Sequence, residues 1–218
     1  MAKRIRPLTV ERVGELPEPC GSCALWETAG PGAPECGPAA DRKALEAWIS
    51  TVRSGWGDCG MIVYEGGDPL GFVKYAPARF FPRASHMPSG PPDSDAVLIA
   101  CLHVLADVRD VGLGKVLLQA AMRDLVSRKE KVVEAYAAAE TIDRERSPLM
   151  GLEFLMSQGF RVVRPHPFYP LMRLELKSLV SWTDNVEAVL DAIQLPRRLG
   201  ERVPAPLVNA TDLQKGSE

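Results

Sequence analysis

The sequence predicts an α/β domain, a sheet flanked by helices. Three observations carry that expectation. A near-continuous apolar run of strand length spans Ala96 to Val104. A segment with helical apolar spacing follows it, from Gly112 to Ser127, and a second apolar run covers Val132 to Ala137. Strand, helix and strand in this order make a β-α-β unit, whose first strand is apolar enough to be buried on both faces.

The remaining elements read in chain order. Arg4 to Val10 has the pattern of a short strand. Residues 14–40 are rich in Gly, Pro and Cys and read as loop. Asp41 has the chemistry to cap a helix reaching about Arg53, with Leu45, Trp48, Ile49 and Val52 on one face. Met61 to Tyr64 and Leu70 to Tyr75 read as strands joined by the turn Glu65-Gly66-Gly67-Asp68-Pro69. Residues 76–95 carry five prolines together with Arg79, Phe80, Phe81, Arg83 and His86. So long a connection suits either a lid over a substrate site or a mobile surface loop.

After the β-α-β unit, Ser147-Pro148 looks like an N-cap with proline at the first helical position. Leu149, Leu152, Phe154, Leu155 and Met156 would form the apolar face of that helix, and Gly159 its left-handed stop. Strands are expected at about 160–164 and 171–177. Thr183 or Asp184 would cap a last helix bearing Val186, Val189, Leu190 and Ile193, and a peripheral tail is expected from Pro196.

Bulk properties narrow the function classes. The 218 residues suffice for one domain with a real core. A formal net charge of -2 gives no reason to expect a nucleic-acid or anionic-membrane partner. No apolar stretch reaches membrane-spanning length. The basic start Met1 to Arg6 is not followed by a signal-peptide core, so a cytoplasmic location is expected. Five cysteines, an odd number, argue against a disulfide framework. Cys20-Gly-Ser-Cys23 has metal-ligand spacing, and Cys36 and Cys59 are the residues that would complete a four-thiolate zinc site. That second pair is widely spaced and no His lies near it in sequence, so ordinary reduced thiols are the reading adopted and no metal is assigned.

The chemistry concentrates in Arg109-Asp110-Val111-Gly112-Leu113-Gly114-Lys115, between the buried strand and the amphipathic helix. The first amides of a helix lack internal partners and carry partial positive charge, so a phosphate placed there is held by them. A nucleotide P-loop would need Gly at 109 and Ser or Thr at 116, where Arg and Val stand. A dinucleotide fingerprint would need Gly at 117, where Leu stands. The pattern Arg-x-x-Gly-x-Gly fits in full.

That pattern resembles the CoA-binding motif of the GNAT superfamily of N-acetyltransferases. Leu102-His103-Val104 is similar to the end of the family's fourth strand, and Phe154 to Phe160 to its helix ending in Gly-Phe. The segment Cys20 to Glu27 also looks similar to part of a bacterial branch of the family. The resemblance implies a mixed, mostly antiparallel twisted sheet of six to seven strands flanked by helices. The GNAT domain would span residues 1–178, with a C-terminal helix and tail over 179–218.

It also implies an acyl-CoA-dependent N-acyltransferase that moves acetyl from acetyl-CoA directly to an amine of a small molecule, peptide or protein. Family members often form homodimers. Leu102, His103 and Val104 would pair with pantetheine, and residues 109–115 would hold the pyrophosphate. Val104 N–H would face the developing oxyanion. The acceptor must be neutral to react, so a base is useful, and Glu134 and His103 are the candidates. The family's usual general acid is a tyrosine four residues before the Gly of Gly-Phe. Leu155 stands there, with Ser157, Tyr136 and Tyr169 as substitutes. An acetyl-CoA-binding module without turnover is the alternative that Leu155 raises.

Overall fold

The computed structural model describes residues 3–29, 41–139, 147–179 and 186–193. Eight strands form one sheet. They are β1 (Lys3–Pro7), β2 (Gly60–Glu65), β3 (Asp68–Pro77), β4 (Val97–Val104), β5 (Val132–Ala138), β6 (Met150–Gly151), β7 (Arg161–Arg164) and β8 (Leu171–Glu175). Their order is β1-β2-β3-β4-β5-β8-β7, with the short β6 paired only to β5. All pairings are antiparallel except β4 with β5 and β5 with β6. The β4-to-β5 connection contains helix α2 (Leu113–Ser127), as the apolar pattern predicts.

Two apolar cores lie on the two faces. Under α2, the residues Leu113, Val116, Leu117, Ala121 and Leu125 bury against Val73, Ile99 and Val133. The C-terminal helix α4 (Val186–Ala192) joins this core through Val186 and Leu190. On the other face, α1 (Arg42–Gly55) buries Leu45, Trp48, Ile49 and Val52. Asp41 caps it, its side chain accepting from the Ala44 amide at 3.0 Å.

The Cys-rich segment belongs to this second core. Ala24, Leu25 and Trp26 are buried, and Trp26 stacks on Tyr136 at 5.9 Å. Residues 30–40, the expected caps Thr183 and Asp184, and the tail from Pro196 lie outside the described residues.

The proline-rich segment 76–95 is folded down onto the sheet. Phe81, 1% exposed, sits against Trp48 and Trp26. The Trp48 indole N–H donates to the Phe80 carbonyl at 2.6 Å. The Tyr136 hydroxyl reaches the carbonyls of Ala84 (3.0 Å) and Gly90 (2.7 Å).

One expected element starts elsewhere. Ser147-Pro148 does not open a helix: the Leu149 amide donates to Ser147 Oγ at 3.2 Å, the chain then runs as β6, and α3 begins at Leu152 and ends at Ser157. Pairing of Met150 and Gly151 with Ala137 and Ala138 holds these residues extended, overriding the local capping signal. Gly159 takes φ +86°, the left-handed stop that the sequence predicts.

Strand β4 carries a bulge. Lys74 faces Cys101 but Tyr75 faces Ile99, leaving Ala100 as an extra residue. Before it, Val97 and Ile99 join the core under α2; after it, Val104 does, with Leu102 packed against that core. Ala100 and Cys101 both join the opposite core.

Candidate active site

The sheet opens at its centre. β4 and β5 pair only at Val97 with Val133 and Leu98 with Glu134. Beyond that point they diverge, and β6 enters the gap along the far end of β5. The outer half of β4 is therefore held by β3 alone. The Leu105 amide donates to the Leu70 carbonyl at 2.9 Å. By the alternation of an antiparallel ladder, Val104 and Leu102 then turn their N–H and C=O groups away from β3, into the opening.

Helix α2 starts beside this opening. Gly112 precedes it at φ +91°, a conformation that suits glycine. The Val116 amide is the first to bond back, to the Gly112 carbonyl at 3.2 Å. The amides of Leu113, Gly114 and Lys115 precede it and have no carbonyl of the helix to meet. Arg109 and Lys115 are exposed at the same end.

A cavity of about 260 Å³ joins these features. Its walls are Leu102, His103 and Val104 of β4, Arg109 and Gly114, and residues Met150, Gly151 and Phe154 across the opening. A Cβ added at Gly114 would sit 3.5 Å from Leu102 and 3.9 Å from Phe154 and Val104, so any longer side chain there must grow into this space.

A second cavity, of about 30 Å³, lies on the α1 side and includes Cys20, Cys23, Phe72, Lys74 and Cys101 in its lining. Leu102, His103 and Ser147 line both cavities. The bulge at Ala100 accounts for this: it turns Cys101 to the α1 side, so that His103 follows on that side.

His103 lies 6.2 Å from the Phe72 ring. Burial, with the Arg109 charge adding to it, lowers its pKa from the ordinary 6.5, so the imidazole is neutral near neutral pH.

Lys74 is 4% exposed in the middle of β3, and its ammonium meets Glu27 Oε1 at 2.5 Å. Burial works against that charge, but Glu27 outweighs it and the lysine pKa is raised. Glu27 Oε2 is buried and has no hydrogen-bond partner among the described residues.

The other candidate base, Glu134, lies elsewhere. It is 1% exposed, accepts from the Asp93 amide at 2.8 Å and from Arg173 Nη1 at 3.1 Å, and lines neither cavity. Burial raises its pKa.

Leu155 is fully buried in the core. Of the substitutes for the acid, Tyr136 is engaged with the 84–90 segment and Ser157 Oγ donates to the Phe154 carbonyl at 2.7 Å. Tyr169 stacks on His166 at 5.9 Å.

Among the described residues no group of three or more His, Cys, Asp or Glu converges as a metal site, and Cys36 lies outside them. No described helix is long and apolar enough to cross a membrane.

Sequence reasoning missed Ser147 as a wall of both cavities, and it missed the Lys74–Glu27 pair. A lysine within the apolar stretch Phe72-Val73-Lys74-Tyr75-Ala76 was the available signal for the second.

A model of the Acetyltransferase (GNAT) family matches residues 23–145, more than half of the chain. The chain belongs to the GNAT acetyltransferase family. No curated protein matches it in sequence.

Solved structures with the GNAT fold match most of its length. The PaiA N-acetyltransferase of Thermoplasma acidophilum, in complex with coenzyme A, is 17% identical, with a TM-score of 0.53 over 80% of this chain and 99% of that one. The ribosomal-protein-alanine N-acetyltransferase of Brucella melitensis is 18% identical, with a TM-score of 0.54 over 79% and 99%. The loading GNATL domain of CurA from Lyngbya majuscula is 13% identical, with a TM-score of 0.53 over 82% and 100%. At these identities the likeness establishes a GNAT fold.

Proposed function

We propose that the protein transfers an acetyl group from acetyl-CoA directly to an amine. The observation that carries this reading is the pair of cavities meeting at one strand: the larger beside Arg109 and Gly114, the smaller on the opposite side, with Leu102, His103 and Ser147 common to both. Two substrates approaching from opposite faces would meet there. The N-acetyltransferase names of the Thermoplasma and Brucella proteins agree with an amine acceptor.

Each residue has a task in this scheme. The amides of Leu113, Gly114 and Lys115, with the charges of Arg109 and Lys115, hold the CoA pyrophosphate. Asp110 and Val111 shape the approach to Gly112. The backbone groups of Leu102 and Val104 that face the opening pair with pantetheine, and Val104 N–H donates to the carbonyl oxygen. Acetyl-CoA supplies the acetyl group as a thioester. His103, neutral and exposed to both cavities, takes the acceptor's proton. Glu134 is already engaged by Asp93 and Arg173, and we assign it the placement of β5 against β8 and the 91–93 segment.

Calorimetric titration of acetyl-CoA into the wild type and Gly114→Glu tests the scheme. The wild type should bind, and the variant, with a carboxylate in the cavity, should not. Circular dichroism checks that the variant is folded. A folded wild type that binds neither acetyl-CoA, CoA nor another acyl-CoA overturns the proposal. Thiol release across an amine panel then separates transfer from binding without turnover.

A further inference from the structure

The thiols of the smaller cavity have no task in this scheme. Cys20 and Cys23 stand at the first and fourth positions of a turn. The Cys23 amide donates to the Cys20 carbonyl at 3.3 Å, and the Ser22 amide to the Pro19 carbonyl at 3.2 Å. Such a turn brings its end α-carbons within about 7 Å, the span that a disulfide bridges. Both residues line the smaller cavity, on whose wall Lys74, Cys101 and His103 also lie.

The two thiols differ. Cys23 lies near two cations, Lys74 and Arg83, and near the thiols of Cys20 and Cys101. Positive neighbours favour the thiolate, which is the nucleophile. Cys20 is held at about 12 by burial and then by the charge of Cys23, so it stays protonated. Cys20 keeps some exposure at its surface, and Cys23 is 7% exposed. A thiol beside cations with a second thiol three residues away is the arrangement of a dithiol that resolves its own oxidation.

We propose that Cys20 and Cys23 form a peroxide-responsive dithiol whose disulfide closes the acceptor side of the site. The Cys23 thiolate attacks one oxygen of hydrogen peroxide, forming a sulfenic acid and releasing hydroxide. The Cys20 sulfur then attacks Cys23, forming the S–S bond. The Cys20 proton leaves with the sulfenic hydroxyl as water. Two thiols are oxidised and one peroxide is reduced to water.

Both residues belong to one turn of the wall, and the S–S bond, about 2.05 Å long, reshapes that turn. The cavity is about 30 Å³, so a small wall movement removes much of it. The closure rests on reading this cavity as the acceptor side; the disulfide does not.

The test treats the full chain with hydrogen peroxide and reads intact mass, thiol count and fragment spectra. Oxidised wild type should lose two hydrogens, show the Cys20–Cys23 bridge, and recover with dithiothreitol. Cys20→Ser should stop at a Cys23 sulfenic acid that dimedone captures. Oxidation should leave acetyl-CoA affinity unchanged in calorimetry, while thiol release with the amine used by the reduced enzyme falls on the order of tenfold or more. Unchanged mass and thiol count, a bridge to another cysteine, or undiminished turnover of the bridged form overturns the proposal. If the reduced protein fails to bind acetyl-CoA, the transfer scheme falls, and the mass spectra still decide the disulfide.

Discussion

Lys74 and Glu27 form a pair whose side chains are 5% and 2% exposed. Losing one partner of such a pair strands the other charge, which costs about 3–5 kcal/mol, whereas an apolar replacement of both is often neutral or stabilising. Glu27→Leu should therefore lower unfolding free energy by about that amount, and Glu27→Leu with Lys74→Met should recover most of it. Urea unfolding of the single and double variants checks this; equal losses in both would show that the charges are not coupled. His103 makes a prediction about pH. Its folded pKa lies below 6.5, so the imidazole proposed as base is neutral at pH 7 and charges only as pH falls through that lowered value. The acid limb of kcat/KM should have its midpoint below 6.5, and His103→Gln should remove it. A limb that survives the substitution assigns the proton to another group.

Among the elements, the 76–95 segment shows most clearly what a sequence hides. Its five prolines imply only that no regular strand or helix runs through it. What fixes its path is long-range: Trp48 and Tyr136, 32 and 46 to 52 residues away from their partners, hold its carbonyls. Tyr136→Phe removes the donor shared by Ala84 and Gly90. It should cost about 1–3 kcal/mol and speed hydrogen exchange across residues 84–90, with acetyl-CoA affinity unchanged. Exchange as slow as in the wild type would show that aromatic packing alone holds the segment. Ser147-Pro148 taught the same lesson in reverse: a sound local capping signal yields when the neighbouring residues pair with a strand.

For the molecule as a whole, the central β4-α2-β5 unit and the Arg109–Lys115 loop were legible because both depend on contiguous residues. The place where the sheet opens was implied by the family resemblance of Leu102-His103-Val104 and not by periodicity. It depends on β4 and β5 pairing at just two positions and on β6 arriving from elsewhere in the chain. Of the candidate site, Leu102, His103, Val104, Arg109 and Gly114, the residues expected to hold CoA, line one cavity, while Glu134 lies with Asp93 and Arg173. Periodicity reports which residues are apolar, but it does not report which strand a buried carboxylate will meet.

The extra residue at Ala100 has a further consequence. A strand normally obeys one parity, with odd positions on one side and even positions on the other. In β4 that parity reverses midway: Val97 and Ile99 share a core with the even-numbered Val104, while Leu98 shares the other with Cys101. One short strand thus serves as core on its first half and as a partition between two chambers on its second. In this stretch the bulge acts as a switch: flattening it at unchanged chain length would exchange the two sides, sending His103 toward the core under α2 and Leu102 toward the thiols. A relative one residue shorter between Ile99 and Leu102 would therefore need no bulge to keep the same side chains facing the same chambers.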